Sequence, residues 1–295
     1  MQLFFRVKQQ PEPVVPNLGR ITLSLLEGDP STPFTLKQIN DLPENIKQRV
    51  YRNLIPPVLL TRFDIDPITW TGANKEQRVF LTADSGSEKV FISARTSASE
   101  EDEFFVLELA DNMLNGIDLN LLLLNNPASA RFNTDKDEHG SPTMFGTVRR
   151  NLTEESRAKE AGLAPGQVRN SLSASKIVLD QIDTFLATIG QRAYFLEPLT
   201  YASAWVFEKR GFAYVRGHKL MATIHQEFQP GSTLHKALDD SSPFRKPTQW
   251  DNVRGRAWAI HDGILDTLET NWDKLRMVKQ IGKHAGANTF PNAIY

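Results

Sequence analysis

Residues 200–212 read TYASAWVFEKRGF. The stretch from Thr200 to Arg210 favours a helix, Gly211 supplies the left-handed residue that stops it, and Phe212 returns the chain to a core. Phe212 to Val215 then reads as a strand. Upstream, Leu172, Ser175, Val178, Leu179, Ile182, Phe185, Leu186 and Ile189 recur at steps of three and four and end at Gly190, which marks an amphipathic helix. Ala193 to Leu196 is a short apolar strand between the two helices. With Leu220 to Phe228 expected as one more strand before the break at Pro230-Gly231-Ser232, this half of the chain reads helix, strand, helix and two strands.

Further toward the N-terminus, Arg78–Ala83 and Lys89–Arg95 flank Asp84-Ser85-Gly86-Ser87, so a hairpin is expected there. Phe104–Leu109 and Ile117–Leu124 extend it to a four-stranded antiparallel meander. Before it, Thr35 and Gln38 stand in capping-box spacing, and Pro43 divides the following residues into two short helices, about 35–41 and 44–54. Arg20–Leu26 suits a strand behind a proline-rich run, Gln9–Pro16. Residues 125–166 are polar and irregular, with Asp135–Gly140 the most hydrophilic point, and Thr153 is expected to cap a short helix ending at Gly162. Asn252 to Lys283 is expected as one long helix with Ala257, Ile264, Leu268, Trp272, Leu275 and Val278 on its apolar face. Packing of that face onto the α/β body, or onto a second subunit in a homodimer, would cover it.

The whole composition narrows the function. With 34 Lys plus Arg against 35 Asp plus Glu, no global field attracts nucleic acid or an anionic membrane. Apolar runs such as Leu121–Leu124 fall far short of a bilayer span, and the first residues lack the pattern of a secretory signal. The absence of cysteine excludes disulfides, thiolate metal sites and cysteine nucleophiles, and a cytoplasmic setting is expected.

Two stretches resemble the GNAT superfamily of N-acetyltransferases. TYASAWVFEKRGF is similar to the family segment in which an Asn, a small residue, an aromatic pair and Glu-Lys-x-Gly-Phe run along the last helix into a strand; Glu208, Lys209, Gly211 and Phe212 match position by position. Ala164 to Ala174, APGQVRNSLSA, resembles the loop leading into the acyl-CoA-binding helix, where Arg169 and Ala174 fit and Leu172 replaces the first glycine. The resemblance implies an α/β (α+β) fold: a GNAT-like mixed sheet, antiparallel meander followed by β-α-β-α-β, with a C-terminal helical extension. Residues 1–19 would be an N-terminal extension, 20–230 the GNAT-like domain with a long insertion at 125–166, and 231–295 the helical extension.

By the same resemblance the cosubstrate is acetyl-CoA or another acyl-CoA, with no metal, and the acceptor is a small-molecule or peptide amine. The loop and helix start, Arg169, Asn170, Ser171, Leu172, Ser173 and Ala174, would cradle the pyrophosphate on backbone amides and the helix dipole, and Thr200 would offer a hydroxyl where the family has Asn. Acyl transfer needs a base for the amine and an acid for the leaving thiolate. Phe207 stands where the family often has the acidic tyrosine, which leaves Tyr201 and Tyr214 as candidate acids against a packed-ring role, and Glu108 and Glu197 as candidate bases against solvated strand ends. A catalytically degenerate acyl-CoA sensor or protein-interaction module is the alternative.

Other constellations lead nowhere. His218 and His225, on the expected strand, would face opposite ways. His261-Asp262 lacks the further ligands of a phosphohydrolase centre, and Trp250, Trp258 and Trp272 among basic residues suit packing better than nucleic-acid binding.

Overall fold

A computed structural model describes residues 32–146, 148–273 and 275–295. The strand expected at 20–26 and the extension at 1–19 lie outside the described residues. Helices α1 (Leu36–Asn40), α2 (Glu44–Tyr51) and α3 (Pro57–Thr61) come first. Thr35 and Gln38 form the expected capping box: Gln38 N donates to Thr35 Oγ1 at 3.2 Å, and Thr35 N donates to Gln38 Oε1 at 2.9 Å. Asp111, far along the chain, also accepts from Leu36 N and Lys37 N. Burial pushes its carboxyl above the usual range against these two bonds.

Strands β1 (Val79–Thr82), β2 (Lys89–Ala94), β3 (Phe105–Asp111) and β4 (Ile117–Leu124) form the antiparallel meander. Alternation sends Val90, Ile92, Leu107, Leu109, Ile117 and Leu119 into the core. α4 (Leu152–Glu160) follows, capped by Asn151 rather than Thr153, because Asn151 places its side-chain oxygen on Glu154 N at 3.2 Å. α5 (Ser175–Thr188) buries Val178, Leu179, Ile182, Phe185 and Leu186. Its Phe185 ring packs on Tyr51 at 6.1 Å, joining it to the N-terminal helices.

β5 (Ala193–Leu196), α6 (Tyr201–Lys209) and β6 (Ala213–Arg216) match the sequence reading closely. Gly211 has φ +87°, and a Cβ there would stand 2.8 Å from Lys279 Nζ and 2.9 Å from His284 Cδ2, so conformation and space both call for glycine.

Two expected elements are corrected. Residues 218–227 form helix α7 (His218–Glu227), not a strand. Met221, Ile224 and Phe228 are buried at helical steps, and Leu220, Met221, Ala222, Gln226 and Glu227 are good helix formers. His218 and His225 therefore lie seven apart on a helix, two turns along roughly one face, instead of on opposite faces of a strand.

The long helix over 252–283 is also absent. After α8 (Thr233–Lys236), α9 (Val253–His261) ends at Gly263, φ +81°; a 3-10 turn spans Ile264–Leu268, and β7 (Arg276–Gln280) is a strand. Trp258 and Trp272 thus do not share one helix. The alternation of buried Met277 and Lys279 with half-buried Arg276 and Val278 was too short to stand out against the helical spacing before it.

The described residues form a seven-stranded sheet in the order β1-β2-β3-β4-β5-β7-β6. β4 and β5 are parallel, β5 and β7 antiparallel, and β7 and β6 antiparallel. The chain is thus a mixed α/β structure with a mixed sheet. Among the described residues no helix is long and apolar enough to cross a membrane.

The insertion at 125–166 is packed. Phe132, Ala158, Leu163, Phe244 and Trp258 make a second small core. Beside it, Arg150 spans Glu155 and Asp262, and Arg245 and Ser242 also reach Asp262. At its other end Asp102 binds Arg131 and Arg169 together; burial opposes ionisation, but the two guanidiniums hold the carboxyl below its usual range.

Candidate functional site

The sheet opens at its middle. β4 and β5 pair only through Ile117–Tyr194 and Asp118–Phe195. Beyond that, no β5 residue is in register with Leu119–Leu124, and the next backbone partner is Leu172 N, which donates to Leu124 O at 3.0 Å. At the same level the β3–β4 register shifts: Glu108 pairs with Leu121 and Leu109 with Leu119, so Asn120 is an extra residue. A bulge therefore adjoins an unpaired strand edge in the centre of the sheet.

Pairing assigns the side chains to faces. Ala110 pairs with Asp118, Asp118 with Phe195, Phe195 with Val278, and Arg276 with Arg216. By alternation Glu108, Asp118, Glu197, Arg216 and Arg276 all share the face opposite the buried leucines. Arg276 binds both Asp118 oxygens, at 2.8 and 3.0 Å, and reaches Glu197 at 3.2 Å, with its guanidinium 5.1 Å from the Phe195 ring centre. Asn120 Nδ2 donates to Glu108 Oε1 at 2.9 Å, and Lys89 lies 3.7 Å from the same oxygen. Asp118, Asn120, Glu197, Arg216 and Arg276 border an open groove of about 870 Å³, whose lining also includes Lys37, Glu88 and the exposed hairpin tip Met113-Leu114. Of the two candidate bases, Glu197 lines the groove, whereas Glu108 touches the bulged Asn120 and is not part of the lining.

Along β4 the open edge leads to the start of α5. Ala174 occupies the N-cap and offers no side-chain acceptor, so the first-turn amides lack a side-chain cap. Arg210, at the end of α6, donates to Ser175 Oγ at 3.2 and 3.0 Å and puts a cation beside that helix start. The expected cradle residues divide here. Asn170, Ser171 and Ser173 are exposed, and Ser173 holds φ +59°. Leu172 and Ala174 are buried, and Arg169 is committed to Asp102 and the Ser129 carbonyl. Thr200 caps α6, its hydroxyl accepting from Ser203 N at 3.0 Å.

The two tyrosines face inward. Tyr214 donates to Glu208 Oε1 at 2.7 Å, and burial raises its pKa. Tyr201 is buried, with its hydroxyl 3.4 Å from Arg256 Nη1. Arg256 is itself fully buried with no carboxylate partner among the described residues, 3.6 Å from the Phe290 ring centre and 3.3 Å from His225 Nδ1.

Burial, then the Arg256 cation, lower the His225 pKa below its ordinary value of 6.5. As pH falls through 6.5 the unfolded chain takes up this proton before the folded chain does. Stability is therefore expected to drop from pH 6.5 downward, until the folded-state pKa is passed. His225→Gln should flatten that part of the profile, as measured by urea unfolding at stepped pH; an unchanged slope would discount His225.

Sequence reading passed over Asp118, Asn120, Arg210 and Arg276. Asp118 and Asn120 do carry a signal, as polar residues alternating with Ile117 and Leu119. Arg276 was hidden by the helix expected over its strand. Among the described residues no group of three or more His, Cys, Asp or Glu could hold a metal ion. Compared with family models, with curated proteins and with solved structures, the chain matches none.

Proposed function

We propose that the protein is an acyl-CoA-dependent N-acyltransferase of GNAT type, transferring an acyl group, with acetyl the first to test, to an amine. The observation that carries this reading is the parting of β4 from β5 beside the Asn120 bulge, with the uncapped start of α5 at the far end of the open edge. An extended arm containing amides, such as the pantetheine of coenzyme A, can pair with an open strand edge. Its pyrophosphate would then meet the α5 amides and Arg210. The sheet order and the matches at Glu208, Lys209, Gly211 and Phe212 support the same reading.

In the reaction the neutral amine attacks the thioester carbonyl, the C–N bond forms, and the C–S bond breaks. Glu197 or Glu108 takes the proton lost by nitrogen, and the departing thiolate gains one to become the free thiol. A backbone N–H on the open β4 edge would stabilise the oxyanion. With Phe207 at the tyrosine position and the Tyr201 and Tyr214 hydroxyls turned inward, the thiolate would draw its proton from water.

Those same three residues, with buried Leu172 in place of glycine, favour a second reading, a non-catalytic acyl-CoA sensor. Calorimetric titration with acetyl-CoA tests both: no heat at millimolar ligand removes both, and turnover with an amine panel separates them. Ser175→Ala and Arg210→Gln should each weaken binding by about tenfold, about 1.4 kcal/mol. Unchanged affinity in both would remove the α5 start as the phosphate site.

A further inference from the structure

Residues 284–294 run as a strap across α6 and α9. Ala285 N donates to Gly211 O at 3.1 Å, Thr289 N to Glu208 Oε2 at 3.0 Å, and Val253 N to Ile294 O at 2.8 Å. Between these bonds Phe290 is buried and covers two groups at once: its ring centre lies 3.6 Å from the Arg256 guanidinium carbon and 5.1 Å from the His225 ring centre. Beneath it Arg256 Nη1 is 3.3 Å from His225 Nδ1, and Arg256 Nη2 is buried without an acceptor among the described residues. The geometry points to an acid-sensitive latch: a proton on His225 sets a second cation against Arg256 under Phe290, and the strap lifts there to let water reach both.

Arginine carries only donors, so the 3.3 Å contact requires His225 Nδ1 to accept, which the neutral ring does and the imidazolium cannot. Protonation therefore turns a hydrogen bond into two facing donors and two like charges, at a place where water screens little. The surrounding groups do not offset this. From α6 come Tyr201, whose hydroxyl is 3.4 Å from Arg256, and Glu208, already bound to Tyr214 and Thr289. Asp251, ahead of α9, acts on Arg256 from a distance, and the strap itself brings the uncharged Thr289 and Phe290. Burial and the Arg256 cation both oppose a proton on His225 while the strap is closed. With the strap lifted the ring is hydrated and binds that proton more tightly, so falling pH shifts the population toward release. The strap is the part that moves, because α7 and α9 are fixed by buried Met221, Ile224, Ala257 and Trp258. Its bond to Gly211 adjoins Arg210, so release also loosens the end of α6 beside the α5 start.

The test is amide exchange on the full chain at about pH 7.5 and about pH 5, expressed as protection relative to the unstructured rate at each pH. Exchange reads the release even where the open form is a minor population. Protection at Ala285 and Thr289 should fall at the lower pH by about threefold or more beyond any loss in β2 and β3. His225→Gln, which stays neutral throughout, should abolish that extra loss. The comparison of strap with β2 and β3 in the unaltered chain needs no variant, so it decides the matter even if His225→Gln does not fold. An equal loss in the strap and in β2 and β3, strap protection that ignores pH, or the same extra loss in His225→Gln would overturn the inference.

Discussion

Trp258→Ala is expected to destabilise the protein by about 4 kcal/mol, in the range of large aromatic truncations in a packed core. Trp258 is 1% exposed, stacks on Phe244 at 5.1 Å and donates its indole N–H to Leu163 O at 2.8 Å. Removing it leaves a cavity at the centre of the second core and a buried carbonyl without its donor. Amide exchange in α4 should accelerate more than exchange in β2 and β3, because α4 relies on that core. Trp258→Phe should cost less, about 1–2 kcal/mol, for the lost hydrogen bond and the smaller ring. A loss below 1 kcal/mol for the alanine variant in urea unfolding would mean that the insertion is held by its ion pairs instead.

Glu208→Ala should be comparably severe, about 4 kcal/mol. The carboxylate is fully buried, and three donors converge on it: Tyr214 Oη at 2.7 Å, Thr289 N at 3.0 Å and Thr289 Oγ1 at 2.5 Å. Alanine strands all three and releases the C-terminal segment from α6. Rapid exchange at Thr289 should accompany the loss of stability. If the Thr289 amide stays protected in the variant, another contact anchors that segment.

Glu208 also illustrates how far the chain could be read before its structure. Its place in TYASAWVFEKRGF was recognised, and so were the helix and the glycine turn after it, because those depend on neighbours along the chain. The meander was legible for the same reason: its strands pair in chain order, with short connections at 83–88 and 112–116. That Glu208 receives Thr289 was not legible, since partners so distant in sequence leave no periodic trace. Val278 misled most: its spacing from Trp272 and Leu275 looked helical, yet it lies on β7, where the neighbouring Lys279 buries its amine against the Arg210 and Lys283 carbonyls. At the candidate site Glu108 and Glu197 were found as polar ends of apolar runs, whereas the Asn120 bulge depends on a register that only pairing reveals.

The position of β7 has a consequence for how the molecule is made. β5 ends at Leu196 and its partner begins at Arg276, with β6 waiting on the same strand. During synthesis the meander and α5 can assemble early, while Tyr194 and Phe212, both fully buried in the finished sheet, have no strand between them until β7 leaves the ribosome. Long-range pairing of this sort is slow to form and leaves two unsatisfied strand edges in the meantime. A chain stopped before Arg276 would carry those edges permanently, so premature termination there should produce aggregates rather than a smaller soluble fragment.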